Sequence, residues 1–182
     1  GASGTIGTEA VVKAPPDGYT LAFVASSHVV NKALFPGLGY DPIKNFAPIT
    51  HTANVQLVMV VPETLPARSV AEFIALAKSK PGSLSYGSPG NGSTPHMAIE
   101  FFERAAGINL QHVPYKGGSQ ALTDVIGGQI PLVAVNALEV QPHVKSGKLR
   151  VLAVLSPARS AIFPDVPTIA ESGFPGFEAS VW

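Results

Sequence analysis

The sequence predicts an α/β fold, and three observations carry that expectation. Short apolar runs of strand length alternate with helical stretches, the helices repeat apolar residues at i, i+3, i+4, i+7, and Gly/Pro/Ser/Asn clusters separate the two. The strand runs are continuously apolar and do not alternate. That pattern indicates a parallel sheet with helices on both faces.

The elements follow in order. Thr5 to Ala14 suits a helix, stopped by the turn signal Pro15-Pro16-Asp17-Gly18. Tyr19 to Ala25 reads as a strand, Asn31 to Tyr40 as loop with one helical turn, and Leu57 to Val61 as a second strand. Ser69 with Glu72 has capping-box spacing ahead of the stripe Val70, Phe73, Ile74, Ala77, and Pro81-Gly82 ends that helix. Leu84 to Tyr86 is a short strand. After a Gly/Ser/Asn loop, Pro95 suits a first helical position, and Ala98, Phe101, Phe102 and Ala105 form the next stripe up to Gly107. Leu110 to Val113 is a strand. Ser119 can cap a helix carrying Leu122, Val125 and Ile126. Leu132 to Val135 is a strand, Asn136 with Glu139 resembles a cap for a helix ending at Gly147, and Leu149 to Leu155 is the last strong strand. Ser156 to Pro167 reads as an irregular crossing segment.

Composition narrows the function. The 182 residues are 46% hydrophobic and 13% charged, with 12 Lys+Arg against 12 Asp+Glu. Disorder needs the opposite balance. A net charge of zero offers no attraction to a phosphate backbone, so nucleic acid is not an expected partner. No run approaches the roughly 18 apolar residues of a membrane span. With no Cys there is no disulfide, thiolate metal site or Cys nucleophile. The five histidines, His28, His51, His96, His112 and His143, include no i, i+4 pair, and no metal site is expected. No segment fits a phosphate-binding P-loop or a dinucleotide fingerprint, and no cofactor is expected.

Three loops concentrate the remaining chemistry. Ser88-Pro89-Gly90-Asn91-Gly92-Ser93-Thr94, Tyr115-Lys116-Gly117-Gly118-Ser119, and Asn136 each precede a helix. In a parallel sheet these loops share one edge, where an open α/β sheet places its ligand crevice. Helix-start amides, small residues and the positive dipole end favour an anion such as a carboxylate or phosphate. The competing reading of any one loop is that its glycines only make a tight turn. A hydrolase built on Ser93 and His96, with Asp124 on a following helix, is an alternative, although the G-x-S-x-G elbow is absent. A further alternative is a remnant domain that binds nothing.

Tyr86-Gly87-Ser88-Pro89-Gly90-Asn91-Gly92-Ser93-Thr94-Pro95-His96 and His112-Val113-Pro114-Tyr115-Lys116-Gly117-Gly118 carry a family resemblance. So do Ala14 to Leu21, Tyr40-Asp41-Pro42, Asn45 to Pro48, Ser146 to Arg150 and Pro164 to Thr168. Together they resemble the Bug-type (TctC-like) extracytoplasmic solute receptors of tripartite tricarboxylate transporters, over essentially the whole chain. The resemblance implies a type II periplasmic-binding fold, a two-domain clamshell that closes on a small organic carboxylate and delivers it to a membrane permease from the periplasm. It implies no catalysis. By position, Ser88, Asn91, Gly92, Ser93, His96, Tyr115, Gly117, Gly118 and Asn136 would contribute from the second domain, and Ser26, Ser27 and His28 from the first.

The same resemblance implies one complete domain and one partial. Residues 1–61 would be a partial first domain, 62–155 the second α/β domain, and 156–182 an incomplete return to the first, with hinges near Val61-Pro62 and Leu155-Ser156-Pro157. The family's opening strand and Pro/Gly-rich loop, an export signal, and the helices beyond Trp182 are not in this sequence. Ala134-Val135-Asn136 stands where the family usually has Phe-Asp-Asn, and loss of that acid argues against an amino-acid ligand.

Overall fold

The computed structural model describes residues 2–182. After a 3-10 turn at Ala2–Gly4 come α1 (Thr5–Val12), α2 (Ser27–Leu34), β1 (Val55–Pro62) and α3 (Val70–Ser79). Then follow β2 (Ser85–Ser88), α4 (Thr94–Ala106), β3 (Gln111–Pro114), α5 (Gly118–Ile126), β4 (Val133–Asn136), α6 (Ala137–Lys145), β5 (Leu149–Val154) and β6 (Ser180–Val181).

The strands form one sheet in the order β3-β2-β4-β1-β5, with β6 pairing the start of β1. β2 runs parallel to β3 and to β4, as expected. β1 runs antiparallel to β4, β5 and β6, which corrects the expectation of an all-parallel sheet. A continuous apolar run reports helices on both faces of a strand and carries no information on its direction. β1 shows this directly. Leu57, Met59 and Val61 join the core under α3 and α4, with Phe73, Ile99 and Phe102. Val58 and Val60 join the opposite core under α5 and α6, with Leu122, Val125 and Val140.

Most helix ends follow the local chemistry. Ser69 caps α3 by accepting from Glu72 N, while the Glu72 carboxylate reaches back to Arg68 N. Ser93 caps α4, which ends at Gly107 in the left-handed conformation (φ 62°). The α4 stripe is rotated from the one expected: Ala98, Ile99, Phe102 and Ala106 are buried, whereas Phe101 and Ala105 are exposed. α5 starts at Gly118 with Gly117 as its cap, two residues ahead of the expected cap Ser119.

The first fifty residues differ most from expectation. Tyr19 to Ala25 forms no strand, and Tyr19 and Phe23 are 92% and 87% exposed. A strand exists only through hydrogen bonds to a neighbour, and among the described residues none pairs with this segment. The helical turn expected within 31–40 is the end of a longer helix, since α2 runs from Ser27 to Leu34. β1 is an interior strand of the sheet, between β4 and β5, so a division at 61/62 would fall at the far end of a strand built into that sheet.

Candidate functional site

β2, β3 and β4 share one direction, so the loops after them, and with them the starts of α4, α5 and α6, open on one edge of the sheet. The α4 loop is the most constrained. Ser88, the fully buried last residue of β2, accepts from Gly90 N at 3.1 Å and lies 2.6 Å from His112 Nε2. Gly90 (φ 135°) and Gly92 (φ 74°) take backbone conformations that favour glycine. Gly92 N donates to His96 Nδ1 at 3.2 Å, and Ser93 Oγ accepts from His96 N at 3.4 Å. His96 therefore braces the turn that leads into its own helix.

The loops meet one another. Tyr115 N donates to Ser88 O at 2.9 Å, tying the α5 loop to the end of β2. A methyl group placed on Gly118 would lie 3.7 Å from Pro89 Cγ, 3.7 Å from Glu139 Oε2 and 3.8 Å from Val135 Cγ1, so the start of α5 sits between the α4 loop, the end of β4 and the first turn of α6. Asn136 Nδ2 donates to Glu139 Oε1 at 3.0 Å.

The first segment reaches the same place. Ser26 Oγ lies 2.9 Å from Thr94 Oγ1, and Ser3 Oγ donates to Asn91 O at 2.7 Å. Leu34 covers Gly92 so closely that a methyl group there would meet Leu34 Cδ1 at 2.5 Å. One expected residue points elsewhere. His28 Nε2 is 2.8 Å from Pro42 O and its ring packs on Tyr40 and Phe46, which makes it an internal packing residue. Ser27 lines, with His28 and Ser3, a cavity of about 650 Å³ between α1 and residues 21–25. Gly117 is extended backbone (φ 174°) beside the α5 start.

Electrostatics under the α4 loop is set by burial. The rings of His96 and His112 have centroids 4.1 Å apart, and Tyr86 stacks on His112 at 4.9 Å. Burial lowers the pKa of both imidazoles, that of His112 to about 4 with help from the neighbouring His96. Tyr86 donates to Glu100 Oε1 at 2.7 Å, and burial first, then this carboxylate, raises its pKa. The Tyr115 hydroxyl donates to Asp124 Oδ2 at 2.6 Å and is pushed up to about 12, chiefly by burial. That hydroxyl is committed to α5.

The hydrolase arrangement is not formed. Ser93 Oγ contacts the backbone of His96, and the ring nitrogen that would act as base is turned to Gly92 N. The Ser–His contact that does exist, Ser88 with His112, has its hydroxyl fully buried, out of reach of a substrate. Among the described residues no group of three His, Cys, Asp or Glu could hold a metal ion.

The family model described as tripartite tricarboxylate transporter family receptor, TctC, matches residues 1–182. The chain belongs to the TctC family. Over 184 residues it is 39% identical to protein BugT of Bordetella pertussis, covering 100% of this chain and 56% of BugT. Among solved structures it is similar to periplasmic binding protein BugD (32% identity, TM-score 0.91, 100% of this chain and 61% of that one). It is also similar to R. palustris Rpa4515 with adipate (37% identity, TM-score 0.93, 100% and 61%). A third is MatC (Rpa3494) from Rhodopseudomonas palustris with bound malate (29% identity, TM-score 0.88, 100% and 62%). The expected periplasmic-binding α/β fold is met. The chain spans little more than half the length of these relatives, in keeping with one complete domain and part of another.

The helix-start loops, Thr94 among them, were singled out in the sequence as a candidate site. Ser3 and Leu34 were not, because their contacts with the α4 loop are long-range. Glu139 was readable only as a cap partner. No helix among the described residues is long and apolar enough to cross a membrane.

Proposed function

We propose that this chain forms the solute-holding part of a periplasmic TctC receptor, which binds a small organic carboxylate and presents it to the membrane permease of a tripartite transporter. The observation that carries this reading is the shared direction of β2, β3 and β4, which sets three helix starts around one point beside Gly118. The first amides of a helix have no intrahelical acceptor, and their dipole ends favour a carboxylate. Relatives with adipate and malate bound support the ligand class. The protein makes and breaks no bond.

Within this reading Asn91, Ser93, Gly118 and Asn136 face the ligand from one lobe, joined by Thr94, and Ser26 approaches from the other. Ser88, Gly92, His96 and Tyr115 hold the loops in shape. The lobe boundary falls at the start of β1, because that strand is built into the second lobe's sheet, and the return crossing lies at Leu155-Ser156-Pro157. Ligand binding favours closure by the difference in its affinity for closed and open forms.

Calorimetric titration with a series of mono- and dicarboxylates tests the proposal. Saturable binding that weakens at least about tenfold in Ser93→Ala and Thr94→Val, the loss of one or two hydrogen bonds to a charged group, supports it. Turnover of ester substrates, or silence toward every carboxylate, overturns it.

A further inference from the structure

Asn91 and Gly92 carry a chemistry that holding a solute does not use. Of the six asparagines in the chain, Asn91 alone is followed by glycine. The nitrogen of the following residue can attack an asparagine side chain, and a Cβ on that residue screens it; Gly92 has none. Asn91 is exposed, and no hydrogen bond among the described residues ties its side-chain amide. The peptide group between the two residues is held at both ends. Its carbonyl, Asn91 O, accepts from Ser3 Oγ at 2.7 Å, and its N–H, on Gly92, donates to His96 Nδ1 at 3.2 Å. Both bonds favour loss of the Gly92 proton, the first by stabilising charge that develops on the oxygen, the second by supplying a base. Gly92 itself is buried, so that base must come from the protein. Burial holds the His96 imidazole below its ordinary pKa, which leaves it neutral and able to accept at pH 7.

We propose that Asn91–Gly92 is a self-modification site, at which His96 acts as base and Ser3 steadies the peptide oxygen while Asn91 becomes aspartate or isoaspartate. Gly92 N bonds to Asn91 Cγ as its proton passes to His96 Nδ1. The Cγ–Nδ2 bond then breaks, His96 returns the proton to the departing nitrogen, and ammonia leaves a cyclic imide. Water opens the imide at either carbonyl, giving aspartate, or isoaspartate with a backbone longer by a methylene. Either product puts a negative charge in the α4 loop. On the carboxylate-receptor reading above, which only this consequence needs, that charge opposes the ligand, and the receptor loses affinity as it ages.

The test incubates the wild type, His96→Gln and Ser3→Ala from pH 7 to pH 8.5 and follows the tryptic peptide 79–104, whose single asparagine is Asn91, by mass spectrometry. The wild type should convert at Asn91, whereas Asn109, also exposed but followed by Leu110, should not. His96→Gln keeps an acceptor for Gly92 N and should melt with the wild type, yet convert at least about tenfold more slowly at pH 7. Its rate should then rise about tenfold per pH unit, as attack assisted by hydroxide requires, while the wild-type rate, with its base already neutral, rises less. Ser3→Ala should slow conversion and keep the wild-type pH profile. An unconverted Asn91 in the wild type, or the same rate and profile in His96→Gln, overturns the inference. Converted protein, separated by anion exchange, should bind carboxylates at least about tenfold more weakly than fresh protein, and equal binding overturns the loss of affinity. Fresh protein that binds no carboxylate removes the receptor reading and leaves the conversion standing.

Discussion

His96 and His112 come from different elements, α4 and β3, yet their rings lie 4.1 Å apart with planes inclined by 36°. Each holds the α4 loop in its neutral form, His96 by accepting from Gly92 N at Nδ1 and His112 through Ser88 Oγ. Protonation at His96 Nδ1 would remove an acceptor, and charging both rings would set like charges in contact.

Stability should therefore fall on acidification. Above pH 6.5 the rings are neutral in both folded and unfolded chains and add no pH dependence. Below it the unfolded chain takes up protons first, and stability drops until the folded His112 itself titrates near pH 4. The loss should be about 1–2 kcal/mol, after discounting the shift for half-exposed rings. Glu100 faces His96 and opposes part of the shift, and Glu103, raised by burial, titrates with the opposite sign. Urea unfolding of the wild type and His112→Gln at pH 7.5 and pH 5 isolates the histidine, and the variant should lose less.

Gly92→Ala tests the fit of the first segment against the site loop. The alanine would need a left-handed backbone and would meet Leu34 Cδ1 at 2.5 Å. A cost of about 1–3 kcal/mol is expected, chiefly from the left-handed backbone, because Leu34 is 42% exposed and its Cδ1 can swing aside. The double variant Gly92→Ala/Leu34→Ala should therefore keep most of that cost in denaturant unfolding.

Adjacent phenylalanines of α4 should behave differently. Phe102 is fully buried with its ring edge-to-face on Phe174, and Phe102→Ala should cost about 3–5 kcal/mol. Phe101 is 50% exposed and stacks on Phe177, so Phe101→Ala should cost about 1 kcal/mol. Chemical denaturation of both variants reads the contrast directly.

Local signals made the order of elements from Ser69 to Leu155 legible: the cap at Ser69, Pro95 near the start of α4, the stop at Gly107, and apolar runs bounded by glycine. They could not supply what depends on residues far apart in sequence. The direction of β1 is set by its partners Val135 and Val151, and nothing in Val-Met-Val-Val encodes it. The α4 stripe contained both Phe101 and Phe102, and only the sheet decides which of them is inside. At the site the loops were legible from their glycines, whereas the acid was sought at position 135 and found missing. Glu139 Oε2 in fact comes within 3.7 Å of the Gly118 position that Val135 Cγ1 approaches to 3.8 Å. The strand-to-helix turn at Asn136 brings residue 139 of α6 to a point that residue 135 of β4 also approaches, a relationship invisible to position-by-position reading.

The extended segment at 19–25 leads to a last expectation. Tyr19, Leu21 and Phe23 are exposed, apolar and rich in strand formers, and their backbone pairs with no described strand. An unpaired apolar segment of this kind is a template for pairing with another chain. In the 182-residue chain, Phe23→Lys removes no folded contact of consequence, because the side chain is 87% exposed, and unfolding free energy should move by no more than about 0.5 kcal/mol. Self-association should respond much more, since a charge in the middle of the segment opposes stacking of identical strands. Sedimentation velocity over a concentration series should show the wild-type chain associating and Phe23→Lys remaining monomeric at the same concentrations. Equal association of the two would mean that this segment is not the contact surface.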